Sequence, residues 1–266
     1  MIEVILLYLV LGCASGVVAG LFGIGGGVLI VPVLIIAFTL QGVSPDVLTH
    51  TAVATSLATI VVTSISSVIT HHQKGAVDWN LVKWLTPSIL IGSYVGVHVA
   101  ASLDGESLQT YFGFFALLAG LQMFFALQPK PTEKGLSKVS LSLGGLSVGG
   151  FSVLFGIGGG TINVPFLTWG GVLMQRAVAT AAACGLPIAV VGALTNVYTG
   201  WGKEGLPEWS VGYVYLPAFL GIVITSTFFA RYGALLAHRL PARVLKRSFA
   251  VFLLSVSAYL LIKNLV

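Results

Sequence analysis

Two phrases in this chain carry its most specific chemistry. Residues 22–32 read FGIGGGVLIVP and residues 155–165 read FGIGGGTINVP. Neither offers a nucleophile, a base or a metal ligand; what they offer is backbone. Glycine lacks a Cβ and accepts dihedrals closed to other residues. Gly25, Gly26 and Gly27, and Gly158, Gly159 and Gly160, are therefore expected to break a helix inside an apolar environment. A short helix then restarts after each break, over 28–40 and 161–171. Its first N–H groups have no intrahelical acceptor, and its dipole places partial positive charge there. Two such ends facing each other make an anion site without a cationic side chain. The nucleotide readings fail. A Walker A loop needs Lys-Ser/Thr after the last glycine, and a Rossmann fingerprint needs a glycine at that place, where Val28 and Thr161 stand instead. The bland alternative is that the glycines only let helices pack closely.

Few side chains near these phrases can meet an anion. Asn163 stands where the first copy has Ile30, and a lone amide among apolar residues needs partners. Its alternative is a hydrogen bond between helices. His50-Thr51 and Gln175-Arg176 occupy matching places before two AVAT matches, each at the start of a long helix. Arg176 can bind an anion bidentately if it points inward, or snorkel to the interface. His50 titrates near neutral pH and can couple a proton, or sit at the interface with no such role. Thr55, Ser56 and Thr180, one turn further in, can donate to an oxoanion or bond back to their own helix. Asn196 and Tyr198 are candidate gate residues, and His98 a weak coupling candidate.

The elements that must position these groups follow from composition. The chain of 266 residues is 56% hydrophobic and 8% charged, with mean hydropathy +1.00. Soluble domains carry about 25% charged residues. Apolar runs able to cross a bilayer, about 20 residues each, recur at 47–70, 81–101, 107–127, 177–199, 211–236 and 245–262. The start, MIEVILLYLVLGCAS, lacks a basic n-region and stays apolar past Cys13, so it reads as a helix rather than a cleaved leader. Cys13 and Cys184 read as small packing residues, with neither a disulfide nor a metal site expected. The net charge of +5 reports loop bias in a membrane protein, not nucleic-acid binding. No paired intramembrane carboxylates or His-Glu-x-x-His motif exists, which argues against catalysis. No cofactor is expected.

The chain is duplicated. Phe22 to Gly27, Val31 and Pro32 match Phe155 to Gly160, Val164 and Pro165. Ala52-Val53-Ala54-Thr55 matches Ala177-Val178-Ala179-Thr180, and Leu85-Thr86-Pro87 echoes Tyr215-Leu216-Pro217. The expected organisation is a first transmembrane repeat over 1–127, a cytoplasmic linker over 128–138 and a second repeat over 139–266. Loop charges choose the orientation. With Lys130, Lys134 and Lys138 inside, the Asp104–Glu106 loop is outside and Lys74 and Lys83 are inside. A re-entrant hairpin at each glycine phrase then also places Arg239, Arg243, Lys246 and Arg247 inside, at the cost of Lys203 outside. A single crossing there would put that basic loop outside. The fold class expected is an all-α membrane protein of two inverted repeats, each with a broken helix or re-entrant hairpin at its GxGGG phrase, in eight to ten helical segments.

The paired glycine phrases, each followed by AVAT, resemble the signatures of the TauE/SafE family, the sulfite exporter and related anion permeases, over 4–265. The resemblance implies a secondary transporter for a sulfur-containing anion (sulfite, or an organosulfonate such as sulfoacetate) in a prokaryotic inner membrane, with export the expected direction. Alternating access, the lipid bilayer as surroundings and a proton or sodium ion as coupling partner are expected with it. A homodimer is compatible with the sequence, though no motif demands one. The alternatives are a passive anion channel, or a permease for a carboxylate or inorganic anion.

Overall fold

The computed structural model describes residues 2–22, 26–125, 135–237 and 242–265. Gly25, the linker residues 128–134 and Arg239 therefore lie outside the described residues. Ten helices appear among those described: α1 Ile2–Phe22, α2 Gly27–Leu40, α3 Pro45–Gln73, α4 Trp79–Ser102, α5 Gly105–Phe124, α6 Lys138–Leu154, α7 Gly160–Trp169, α8 Met174–Thr199, α9 Leu216–Ala237 and α10 Ala242–Leu265. Of these, α3, α4 and α8 are each long and apolar enough to cross a bilayer by length and composition.

Local chemistry explains most boundaries. Pro45 opens α3 at a position whose N–H has no helical acceptor anyway. Asp78, Asp104 and Ser137 cap α4, α5 and α6 by accepting backbone N–H groups of their first turns. The fully exposed Asp104 carboxyl is held below the usual carboxylate range, chiefly by the Ser107 backbone N–H and then its hydroxyl. In contrast, α2 and α7 begin at Gly26 (φ 73°) and Gly159 (φ 77°), both left-handed, and no side chain caps either.

Two boundaries differ from the sequence reading. The run expected from 211 begins instead as a two-residue ribbon, Ser210–Val211 (β1) against Val214–Tyr215 (β2), and the helix starts at Leu216 beside Pro217. Gly212, at φ 54°, makes the turn, and a proline near a helix start fixes where α9 begins. The run expected over 47–70 extends as α3 to Gln73, so that His71 and His72 lie in its last turn.

The two halves pack by exchange. Helix α1 packs on α9 and α6 on α4, while α3 packs on α8 and α5 on α10. Swapping α1–α5 for α6–α10 leaves this pairing unchanged. Helices α3 and α8 run past each other in opposite directions: Thr55 near the start of α3 meets Tyr215 beyond the end of α8, and Thr180 near the start of α8 meets Asp78 beyond the end of α3. At one end of the bundle, Tyr8 of α1 accepts a hydrogen bond from Gln41 after α2. At the other, Lys138 of α6 lies over Trp84, and Leu136 lies where a Cβ on Gly170, after α7, would stand. The residue after α2 thus meets the first third of α1, and the residue after α7 meets the residues ahead of α6.

Glycines bring backbones together where the halves interlock. A Cβ on Gly92 or Gly96 of α4 would stand 2.2 or 2.5 Å from the Leu146 or Gly150 carbonyl oxygen of α6. On Gly16 of α1 it would stand 2.5 Å from the Ser226 oxygen of α9. Backbone cannot yield as a side chain can. Gly96→Leu is expected to separate α4 from α6 and to cost several kcal/mol, about the scale of severe overpacking. Thermal unfolding of the purified protein in detergent measures this, and an unchanged melting temperature would refute the close approach. Outside the core the surface stays greasy: Ile91, Leu118, Leu143 and Phe228 are all more than half exposed. A contiguous apolar exterior of this kind suits lipid rather than water.

Candidate functional site

The glycine phrases meet. A Cβ on Gly27, the first residue of α2, would stand 2.5 Å from the Gly156 carbonyl oxygen and 3.1 Å from Ile157 Cα. The Ser56 hydroxyl of α3 donates to that same Gly156 oxygen at 2.7 Å. On the other side, a Cβ on Gly185 of α8 would stand 2.5 Å from the Gly158 oxygen. The first residue of α2 therefore lies against the segment that leads into α7, deep in the bundle, and both helices start uncapped after a left-handed glycine. Their first turns close with Leu29 and Ile30 N–H on the Gly26 oxygen, and Ile162 and Asn163 N–H on the Gly159 oxygen. The N–H groups ahead of these carry the positive end of each dipole.

The side chains at the two starts differ. Asn163 is fully buried, and both its amide nitrogen and its amide oxygen lack a hydrogen-bond partner. The Cys184 thiol of α8 lies beside it, but a thiol is a weak partner for an amide. Thr161 Oγ1 and Ser152 Oγ are likewise buried and unpartnered.

Of the residues singled out from sequence, Gly26, Gly27, Gly158, Gly159, Gly160 and Asn163 gather at the paired helix starts. Ser56 joins them through Gly156, and Thr55, Thr180, Arg176, His50, Asn196, Tyr198 and His98 have partners elsewhere or are exposed. Thr55 Oγ1 accepts the Tyr215 backbone N–H at 3.0 Å, just ahead of α9. Thr180 Oγ1 accepts the Asp78 backbone N–H at 3.0 Å, just ahead of α4. Each threonine thus braces the entry of a helix in the other half. Thr55→Val or Thr180→Val leaves that N–H without its partner. The expected loss is about 1–3 kcal/mol in unfolding free energy, with Thr→Ser largely retaining it; equal stability of the valine and serine variants would contradict the brace.

Arg176 pairs with Asp78 at 3.3 Å, with its side chain half exposed. It stands eight residues before Cys184, about 12 Å along α8. His50 is buried. Its Nε2–H donates to the Ala100 carbonyl oxygen at 3.0 Å, its ring stacks on Tyr213 at 5.1 Å, and its Nδ1 has no partner. The carbonyl can only accept, which puts the proton on Nε2. Asn196 donates to the Gly192 carbonyl oxygen of its own helix, Tyr198 is exposed, and His98 is exposed with Nδ1 on the Tyr94 carbonyl oxygen.

Sequence reasoning passed over Ser152 and Thr161. The signal was present in the repeat alignment, where the first copy has Ala19 and Val28 at the same places.

The profile described as "Sulfite exporter TauE/SafE" matches residues 8–260. The chain belongs to this family. Among its TauE/SafE relatives is a "Probable membrane transporter protein" of Haemophilus influenzae, 38% identical over 264 residues, covering 99% of this chain and all of the relative. A protein described in the same words from Methanocaldococcus jannaschii is 28% identical, over 90% of this chain and 89% of the relative. A third, YunE of Bacillus subtilis, is 30% identical over 59% of this chain and 64% of its own length. This TauE/SafE protein is a multi-pass membrane transporter.

Proposed function

We propose that this protein is a secondary transporter that moves a small sulfur-containing anion outward across a prokaryotic cytoplasmic membrane. The cargo in this reading is sulfite or an organosulfonate such as sulfoacetate. It is held between the starts of α2 and α7 while one half of the bundle rocks against the other. The observation that carries this reading is the contact of Gly27 with Gly156 and Ile157. It sets the start of α2 against the segment that leads into α7, and neither helix start has a side-chain cap of its own, which supports a site where the two dipole ends converge.

The opposed course of α3 and α8, together with the exchange pairing of the helices, supports an inverted repeat. Charge supports the sidedness. Lys74, Lys83, Lys138, Arg176 and Arg247 fall toward one end of the bundle, and Asp46, Asp104, Glu106, Glu204 and Glu208 toward the other, together with Lys203. The basic end is the cytoplasmic one by the bias of short loops. A proton or sodium gradient supplies the work, and buried His50 is the candidate proton carrier.

The test is a panel of sulfite, sulfoacetate, thiosulfate, sulfate and taurine. Each is added to the purified protein in a thermal-shift assay and to proteoliposomes for flux. At least one sulfur oxoanion is expected to raise the melting temperature and to show saturable exchange, while zwitterionic taurine does so less. Flux that never saturates identifies a channel instead. No response to any anion in either assay removes the reading.

A further inference from the structure

The two helix starts are equivalent in backbone and differ in polarity. Around the first stand Ala19, Val28 and Ile30, with Ser15, whose hydroxyl is spent on the Gly12 carbonyl oxygen; at the same places around the second stand Ser152, Thr161 and Asn163, with Val148. The Ala19 Cβ lies 3.4 Å from where a Cβ on Gly26 would stand, and Ser152 Oγ lies 3.6 Å from the matching point on Gly159. Val28 and Ile30 are at most 2% exposed, and Asn163 is fully buried.

Eight buried polar side-chain atoms lack a partner among the described residues, and four of them belong to Ser152, Thr161 and Asn163. Leaving one such atom unpaired costs about 1–3 kcal/mol, so four in one shell are hard to explain by packing. Asn163 sits one turn inside α7. A helical side chain slants toward the N-terminus, so its amide leans back toward Gly159.

Charge limits what can bind there. The nearest arginine in sequence, Arg176, is held by Asp78, about 12 Å away along α8. The start of α7 supplies about half a unit of positive charge and that of α2 about as much, and the hydroxyls and amide supply neutral donors. That set can balance one negative charge; a second would be left buried and unmatched.

We infer that, within the anion-transport reading on which this rests, the charged group binds only at the start of α7. Ser152, Thr161 and Asn163 hold it, and the site accepts singly charged oxoanions whose uncharged remainder lies against Ala19, Val28 and Ile30; of the cargoes named above it takes hydrogen sulfite and excludes sulfoacetate, which carries a carboxylate as well as a sulfonate. Methanesulfonate, which carries one charge and one methyl group, is the simplest probe of this geometry.

The test compares methanesulfonate with sulfate on wild type and on Ser152→Ala, Thr161→Val and Asn163→Ile, each of which copies the first repeat. Methanesulfonate is expected to bind wild type and sulfate to bind it at least about tenfold more weakly. Each variant is expected to lose about tenfold or more in methanesulfonate affinity, the scale of one hydrogen bond to a charged group. Each should also melt at or above the wild-type temperature without ligand, because an unpaired polar group has gone. A purely structural role predicts the reverse on both counts. Thr168→Val, whose hydroxyl serves its own helix carbonyls, should bind as wild type does. If wild type binds other anions but sulfate matches methanesulfonate, or the three variants bind unchanged, this inference falls and the transport reading stands. If wild type binds no anion, the reading beneath it falls first.

Discussion

Gly27→Ala is expected to abolish anion flux while the chain still inserts in the membrane. The added methyl would stand 2.5 Å from the Gly156 oxygen and 2.7 Å from Ile60 Cδ1. The isoleucine can turn aside, but the carbonyl cannot, because Ser56 holds it from behind. The two helix starts must move apart, and the space between them loses its shape. Gly159→Val is expected to act similarly for two reasons. Its φ of 77° disfavours a branched residue, at about 1–3 kcal/mol, and its Cβ would meet Ile188 Cδ1 at 2.5 Å. Gly75→Ala is the control. It too has positive φ, 63°, yet nothing lies within 4 Å of its Cβ. Backbone strain alone therefore predicts that it costs stability and keeps flux. Proteoliposome uptake at matched reconstitution levels separates the cases. Wild-type flux from Gly27→Ala, or equal loss from Gly75→Ala, would remove the claim that the close approach of the two starts matters.

The second large effect is expected at Asp78. This residue does three things at once. Its carboxylate caps α4 through the Asn80 and Leu81 N–H groups, it pairs with Arg176, and its backbone N–H is held by Thr180. The cap is worth about 0.5–2 kcal/mol. The ion pair, with one partner half exposed, adds only about 0–1 kcal/mol. Asp78→Ala is therefore expected to lower the melting temperature by about 3–8 °C, at roughly 2–4 °C per kcal/mol for a chain of this size. Asp78→Asn, which still caps, should lose far less, and Arg176→Ala should resemble it. The same contacts tie the basic end of α8 to the start of α4. The matching place at the acidic end has Thr55 on Tyr215, whose ring packs against Tyr8 and Phe38, and no ion pair in this position. Loosening Asp78 should thus open the basic end selectively. Cys184, fully buried beside Asn163, is a native reporter. In a Cys13→Ser background, its labelling by a membrane-impermeant thiol reagent from the basic side is expected to rise severalfold in Asp78→Ala. Unchanged labelling would show that Asp78 stabilises α4 without closing that end.

Much of this architecture could be read before any coordinates. The doubled phrase and the apolar runs gave the restarts of the short helices and the course of the long ones, because each follows from local chemistry: glycine permits left-handed φ, and an apolar run long enough to cross a bilayer is a property of composition. The ribbon at 210–215 escaped because a four-residue apolar stretch has no period to distinguish strand from helix. The roles of Thr55, Thr180 and Arg176 escaped for a different reason. Their partners, Tyr215 and Asp78, lie in the opposite half of the chain.

The sequence by itself determined that the chain is greasy, that it carries one glycine phrase twice, and that a short helix starts within a residue of where it was expected after each phrase. Periodicity and dihedral freedom are local properties, so a string of residue types suffices to express them. Only the tertiary structure decided that the phrases touch, that Arg176 is matched by a carboxylate, and that three polar side chains are stranded around one phrase alone. Those facts depend on which surfaces come together across more than a hundred residues. They are set by the packing of whole helices, which no short stretch encodes.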